Sequence, residues 1–173
     1  MSFSIDAVAE FEDFVEDMYD FADAQALDVD TLIHENGAAQ LEINFNHGDP
    51  LDMADQVFVF KRTVRETAQR HNMYATFMAK PMQKEPGSAL HIHQSILSLE
   101  TGKNIFNGPD EQPTAELMHY IAGLQRYTPD LISFYAPNVN SYRRLAPDIS
   151  APINLSWGYD NRTTAFRVPD STH

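Results

Sequence analysis

The chain has 173 residues, 43% of them hydrophobic, enough to bury one substantial core and within the range of a single domain. It contains no cysteine, which excludes disulfide frameworks, thiolate zinc sites and cysteine nucleophiles, so that any metal must be held by oxygen and imidazole. A formal net charge of −13 argues against nucleic acid as a partner, and with no apolar stretch near the ~18 residues of a membrane span and no basic, apolar leader, the expectation is a soluble, cytoplasmic chain.

The first long element is expected in "SIDAVAEFEDFVEDMYDFADAQAL", where Val8, Phe11, Phe14, Val15, Met18 and Ala22 recur at helical spacing and carboxylates fill the other face. The aromatic stripe reads as core. In "VDTLIHENGAAQLEINF" two β-prone runs flank Asn36-Gly37, a hairpin signal. A turn centred on Gly37 and Ala38 sets Glu35 opposite Gln40 and Ile33 opposite Glu42, so that both glutamates leave the same face. A slip of one residue would separate them.

Asp49-Pro50 then supplies a cap and first helical position for a second helix, with Val57, Phe60, Val64 and Ala68 inward. "MYATFMAKP" reads as a buried strand ended by Pro81, and "MQKEPGS" as a loop. In "GSALHIHQSI" strand alternation puts Ala89, His91, His93 and Ser95 on one face and Leu90, Ile92 and Ile96 on a core face. "LETGKNIF" turns back through Thr101-Gly102. A helix follows over residues 114–126 with Leu117, Ile121 and Leu124 inward, and "INLSWGYDNRTTAFRVP" reads as a hairpin about Asp160-Asn161. Trp157 in that last run fits core better than a pocket wall. His34, His47 and His71 read as turn or surface residues, and His119 as a helix residue without a role. Hairpins interleaved with long helices predict an α+β fold, a curved and largely antiparallel sheet backed by helices.

Charge is unevenly spread along this order. Residues 1–60 hold fifteen Asp and Glu and no Lys or Arg, whereas Arg143, Arg144, Arg162 and Arg167 gather towards the far end. Such a group of arginines either balances local carboxylates or builds a site for a small anion. Glu35, Glu42 and His91 together offer two hard oxygens and an imidazole, a donor set that suits Mg²⁺ or Mn²⁺. The same three residues taken alone also fit solvated strand faces.

Four segments change the weight of these patterns. "HENGAAQLEINF", "KPMQKEPGSALHIHQS", "NVNSYRRLAP" and "DNRTTAFRVP" resemble, in order and spacing, motifs of the glutamine synthetase catalytic domain, over about Thr31 to Pro169. The resemblance implies that Glu35, Glu42 and His91 are metal ligands and that His93 and Ser95 contact ATP. It implies further that Gly87 lines the glutamate site, that Arg144 holds the glutamate carboxylate, and that Arg162 and Arg167 bind the ATP phosphates, Arg162 acting on the transferring phosphoryl group. Members of that family phosphorylate the γ-carboxylate of glutamate with ATP and let an amine displace the phosphate. Every substrate is anionic, so metal ions and guanidinium forks suit the task.

Departures from the family pattern bear on the acceptor. Glutamine synthetases carry a loop glutamate after the "NSYKRL"-like motif, and Ser150 stands at that place here, with Asp148 two residues away. Pro86 precedes Gly87 where an asparagine is usual, which stiffens the loop. Both departures fit the branch that joins glutamate to larger amines, the γ-glutamylputrescine and other γ-glutamylpolyamine synthetases, with ammonia as the alternative acceptor. The expected organisation is one partial catalytic domain over 1–173, without the family's N-terminal domain and C-terminal part, belonging to a protein that assembles as a homo-oligomeric ring. A piece of this kind could also be a non-catalytic nucleotide- and metal-binding domain. A cupin-type oxygenase built on His91 and His93 fits poorly, because Glu100 and His119 do not complete its pattern.

Overall fold

Helix α1 (Glu12–Ala24) buries Phe14, Met18 and Ala22, one residue in four, while Glu12, Asp13, Glu16, Asp20 and Asp23 face water. These features belong to a computed structural model that describes residues 9–109, 112–147 and 151–169. Val8, expected to extend the apolar stripe, lies outside the described residues. Helix α2 (Pro50–Arg70) starts where expected: Asp49 caps it by accepting from the amides of Leu51 and Asp52 at 3.0 and 3.2 Å, and Pro50 takes a position whose missing N–H costs nothing. Its buried face is Phe60, Thr63, Val64, Thr67 and Ala68. The two threonines were not anticipated as core. They are tolerated because their hydroxyls are satisfied, Thr67 donating to the Thr63 carbonyl at 2.9 Å within the helix and Thr63 donating to Gln25 Oε1 at 3.0 Å just past the end of α1.

The chain divides into two units, Met1–Ser88 and Ala89–His173. In the first, both helices end alike. Ala26 (φ 54°) and Asn72 (φ 56°) adopt the left-handed conformation, and the next residues, Leu27 and Met73, donate back to the carbonyls of Ala22 and Ala68 at 2.9 and 2.8 Å. Each reversal returns an apolar side chain to the core. Strands β1 (Val29–His34) and β2 (Leu41–Phe45) pair antiparallel, Leu32 opposite Ile43, Ile33 opposite Glu42 and His34 opposite Leu41. A bulge sits between Val29 and Leu32, three residues on β1 spanning two on β2, Val29 facing Phe45. That extra residue allows Val29 and Leu32, an odd number apart, to join Leu41, Ile43 and Phe45 against the α1–α2 core.

His34 corrects the expectation of a surface histidine: it lies on the core face of β1 and is 7% exposed. The segment 73–78, expected as a buried strand, is extended but only half-buried, with Met73, Ala75 and Phe77 against the core and Tyr74, Thr76 and Met78 outward, and it is no strand. Alternation specifies an extended backbone, whereas a strand also needs a neighbour to pair with, and none pairs here among the described residues.

The second unit is built on helix α3 (Ala115–Tyr135), whose Leu117 and Ile121 pack with Phe106 and, more peripherally, Ile105, Met118, Tyr120, Trp157 and Val168. Trp157 is thus a packing residue, as its apolar setting suggests. The helix runs nine residues past its expected end and through Pro129. Proline at that position removes one backbone donor without stopping the helix. Residues 96–105 reverse direction as expected, Ile105 donating to the Ile96 carbonyl at 2.9 Å and Gly102 supplying a left-handed turn residue (φ 67°). A one-turn helix, α4 (Val139–Tyr142), follows α3.

Strands β3 (Trp157–Tyr159) and β4 (Phe166–Val168) flank the Asp160-Asn161 turn but pair parallel, Trp157 with Phe166 and Tyr159 with Val168. The hairpin expectation fails because the chain doubles back through residues 160–165 around Asn161, whose Oδ1 accepts from the amide and hydroxyl of Thr163 at 2.9 and 2.7 Å. The fold class is α+β as expected, with long helices, one antiparallel ribbon and one short parallel pair among the described residues. No helix among the described residues is long and apolar enough to cross a membrane.

Candidate functional site

The hairpin presents two carboxylates. Glu35 continues the β1–β2 register, its amide donating to the Gln40 carbonyl at 2.8 Å, so Glu35 faces Gln40 as Ile33 faces Glu42. Glu35 and Glu42 therefore share the face opposite the core, as diagonal cross-strand neighbours. Both are half-buried. The turn between them holds Ala39 in a left-handed conformation (φ 53°) and closes with the Gln40 amide on the Gly37 carbonyl at 3.2 Å. Two half-buried acids on one sheet face form a hard-oxygen pair suited to a divalent cation. Among the described residues no three His, Asp or Glu side chains gather into a metal-holding group, and His91 belongs to the second unit.

The loop carrying Gly87 is fastened to the same hairpin. Its ends close with the Ser88 amide on the Ala79 carbonyl at 2.9 Å, and the Lys80 ammonium donates to the Glu85 carbonyl at 2.5 Å. Gln40 Nε2 donates to the Gly87 carbonyl at 2.9 Å while Gln40 Oε1 accepts from the Gly37 amide at 3.0 Å. Glu85 Oε2 accepts from the Ala38 amide at 3.1 Å. Neither Gln40 nor Glu85 was singled out in the sequence. The available signal was a side chain with both a donor and an acceptor directly after a tight turn.

In the second unit, residues 89–96 form no strand, and Leu90 and Ile92 are 68% and 62% exposed. The expected core face is open because the segment has no paired neighbour among the described residues. His91, His93 and Ser95 are exposed on this extended run. Gln94 accepts from the hydroxyl of Tyr120, which ties the run to α3. Burial first, and Tyr135 second, raise the Tyr120 pKa and keep that hydroxyl a donor.

Arg144 sits just beyond α4, where Asn138 Oδ1 accepts from the Ser141 amide at 3.2 Å and the Arg144 amide donates to the Ser141 carbonyl at 3.2 Å. It is half-buried, and burial lowers the pKa of its guanidinium. A partly desolvated cation gains more from an anion than one in water. Arg162 and Arg167 are exposed, Arg162 in the 160–165 turn and Arg167 opposite Gly158 on β4. Asp148 and Ser150 lie outside the described residues.

Comparison with known proteins shows the family of the chain. The family model described as "Glutamine synthetase, catalytic domain" matches residues 1–173. The chain is 38% identical over 168 residues to gamma-glutamylputrescine synthetase PuuA of Escherichia coli (strain K12), covering 96% of this chain and 35% of the relative. It is also 38% identical over 167 residues to the glutamine synthetase of Pyrococcus abyssi, covering 96% and 37%. Among solved structures, ligand-free GmaS superposes with a TM-score of 0.86 at 30% identity, over 97% of this chain and 39% of that one. The chain thus spans little more than a third of the length of these relatives. Glu35, Glu42, Gly87, His91 and the arginines are residues of a chain that belongs to the glutamine synthetase family, within its catalytic domain.

Proposed function

We propose that the protein containing this chain is an ATP-dependent γ-glutamyl ligase that joins glutamate to an organic amine or polyamine. What carries the reading is the hairpin register, which gives Glu35 and Glu42 one common face within a chain of this family. Glu35, Glu42 and His91 would hold Mg²⁺ or Mn²⁺. When bound, such an ion neutralises phosphate oxygens and sharpens the electrophile. His93 and Ser95 would contact ATP, with Gly87 and Arg144 on the glutamate.

The chemistry assigned to these residues has two displacements. A γ-carboxylate oxygen of glutamate attacks the γ-phosphorus of ATP, the bond to the β-phosphate oxygen breaks, and ADP leaves with the electron pair. The amine nitrogen then attacks the acyl carbon of γ-glutamyl phosphate, inorganic phosphate departs, and the nitrogen gives up a proton. Arg162 and Arg167 would spread the charge of the transferring group through planar, permanently charged forks, which an ammonium cannot reproduce. Arg144 would orient the α-carboxylate end of glutamate, leaving the γ-carboxylate to react.

Both an amine ligase and an ammonia ligase stand at 38% identity to this chain. Serine at position 150, in place of the loop glutamate expected of an ammonia ligase, favours an organic acceptor. We further propose that residues 1–173 form part of one catalytic domain, and that the whole protein is cytoplasmic and works as a homo-oligomeric ring. Phosphate release from ATP and glutamate, measured with ammonia, putrescine, spermidine and ethanolamine in turn, tests the assignment. Faster release with an organic amine is the expected result. A clear preference for ammonia would make the protein a glutamine synthetase proper, and no release with any acceptor would defeat the ligase reading.

A further inference from the structure

The hairpin that carries Glu35 and Glu42 and the loop that carries Gly87 are joined by two side chains, one from each, neither of which the site assignments include. Gln40 uses both ends of its carboxamide: Oε1 accepts from the Gly37 amide at 3.0 Å and Nε2 donates to the Gly87 carbonyl at 2.9 Å. Glu85 reaches back from the loop, its Oε2 accepting from the Ala38 amide at 3.1 Å. Both bonds run from a donor on the turn to an acceptor on the loop, one made by a side chain of each, over a separation of 47 residues in sequence. Neither amide at the turn tip has a cross-strand partner of its own, so these side chains satisfy donors the ladder leaves over.

Gly37 completes the arrangement. A Cβ there would come within 2.7 Å of Gln40 Oε1 and 3.2 Å of Gln40 Cβ. The absence of a side chain at Gly37 is what admits the carboxamide beneath the turn. A loop held at two points on a rigid ribbon keeps its backbone carbonyls and amides where a ligand can meet them without first ordering the loop.

We propose that Gln40 and Glu85 are positioning residues: they clasp the 81–88 loop to the hairpin turn and thereby set the affinity for glutamate at Gly87, without touching substrate. The proposal rests on the reading of Gly87 as part of the glutamate site. It assigns a specific cause to glutamate affinity that is separable from phosphoryl transfer.

Four variants of the intact protein test it, with two readouts. Gln40→Glu keeps the acceptor for Gly37 but loses the donor to Gly87; Glu85→Ala removes the acceptor for Ala38; Gly37→Ala displaces the carboxamide while leaving both clasp residues in place. Glu85→Gln retains an acceptor oxygen and serves as the conservative rescue. Hydrogen–deuterium exchange followed by mass spectrometry is expected to quicken over residues 81–88 in the first three, with exchange across α2 unchanged, and to stay near wild type in Glu85→Gln. In steady-state assays the same three should raise the KM for glutamate roughly five- to tenfold, the loss of about one hydrogen bond, with kcat within about twofold and the KM for ATP unaltered.

Unchanged exchange over 81–88 would overturn the clasp. Faster exchange with an unaltered glutamate KM would overturn the positioning role, and with it the place of Gly87 in the glutamate site, while leaving ligase activity standing. A wild-type protein that transfers no glutamate at all would instead defeat the ligase reading, and the exchange measurement would still decide whether the clasp exists.

Discussion

The two units hold their candidate residues by different means. In Met1–Ser88 the acids stand on a β-ribbon whose opposite face is packed against two capped helices, so a change in backbone register must move a core side chain. In Ala89–His173 the imidazoles lie on an exposed, unpaired run, and Arg162 lies in a turn organised by one asparagine. Among the described candidate residues of that unit, Arg144 is half-buried. The two glutamates that resemble metal ligands are therefore placed by the core, whereas His91 and the residues that resemble nucleotide contacts stand on exposed segments outside it. The first arrangement resists displacement, and the second yields to it.

The largest effect that should separate the units is on stability. Met18 is 0% exposed at the centre of the first core, and Met18→Ala should lower the unfolding free energy by about 2–5 kcal/mol. The smaller cluster around Ile121 offers less to lose, and Ile121→Ala should fall at or below the low end of that range, about 2 kcal/mol. Chemical denaturation followed by circular dichroism compares them, and equal losses would erase the contrast.

Next in size are effects on chemistry. Arg162→Lys should lower the rate of phosphoryl transfer about 10²-fold, the scale for removing one aligned donor from a developing charge, while the denaturation midpoint stays put. A variant with normal kcat would remove Arg162 from the reaction. Glu42→Ala should weaken Mn²⁺ binding by about tenfold or more in calorimetry, on the scale of metal-site substitutions. Unchanged affinity would mean that the shared face of the ribbon is not a metal face.

Smaller still is the cap on α2. Asp49→Ala removes the acceptor for two amides and should cost about 1 kcal/mol. The smallest effect is on pH dependence in the second unit. Burial raises the Tyr120 pKa above its unfolded value, so the folded state holds its proton longer, and the associated stability, complete below about pH 10, declines as pH rises through the folded pKa. Tyr120→Phe should remove both the late phenolate absorbance and that part of the alkaline slope.

What could be foreseen differs between the units for physical reasons. Both long helices of the first unit follow from four-residue apolar spacing and from the Asp49-Pro50 start, the hairpin follows from Asn36-Gly37 with its flanking runs, and its register from a turn centred on Gly37 and Ala38. Those signals are local. The direction in which β4 meets β3 is not local, and neither is the presence of a neighbour for residues 73–78 or 89–96, whose alternation specified only an extended backbone. The third helix was expected to end at residue 126, while the observed helix continues through Pro129 to Tyr135. His34 misled because a histidine beside a turn suggests solvent, although its β1 position put it on the core face. Gln40 and Glu85 escaped notice because their partners, Gly87 and Ala38, are 47 residues away. The motif residues themselves were legible as an ordered set, and the register of Glu35 with Glu42 was legible as geometry.

The surplus residue in β1 gives the acidic pair a property that no single side chain confers. With an irregular step near Val29 at one end and a left-handed alanine at the other, the ribbon is pinned like a zip caught at both stops. The gap between its acids cannot be tuned by gradual sliding. Evolution or an engineer wishing to adapt this unit to a larger or smaller cation must exchange side chains or rebuild the tip, because every intermediate setting of the teeth would turn Leu32 and Ile43 out of the interior.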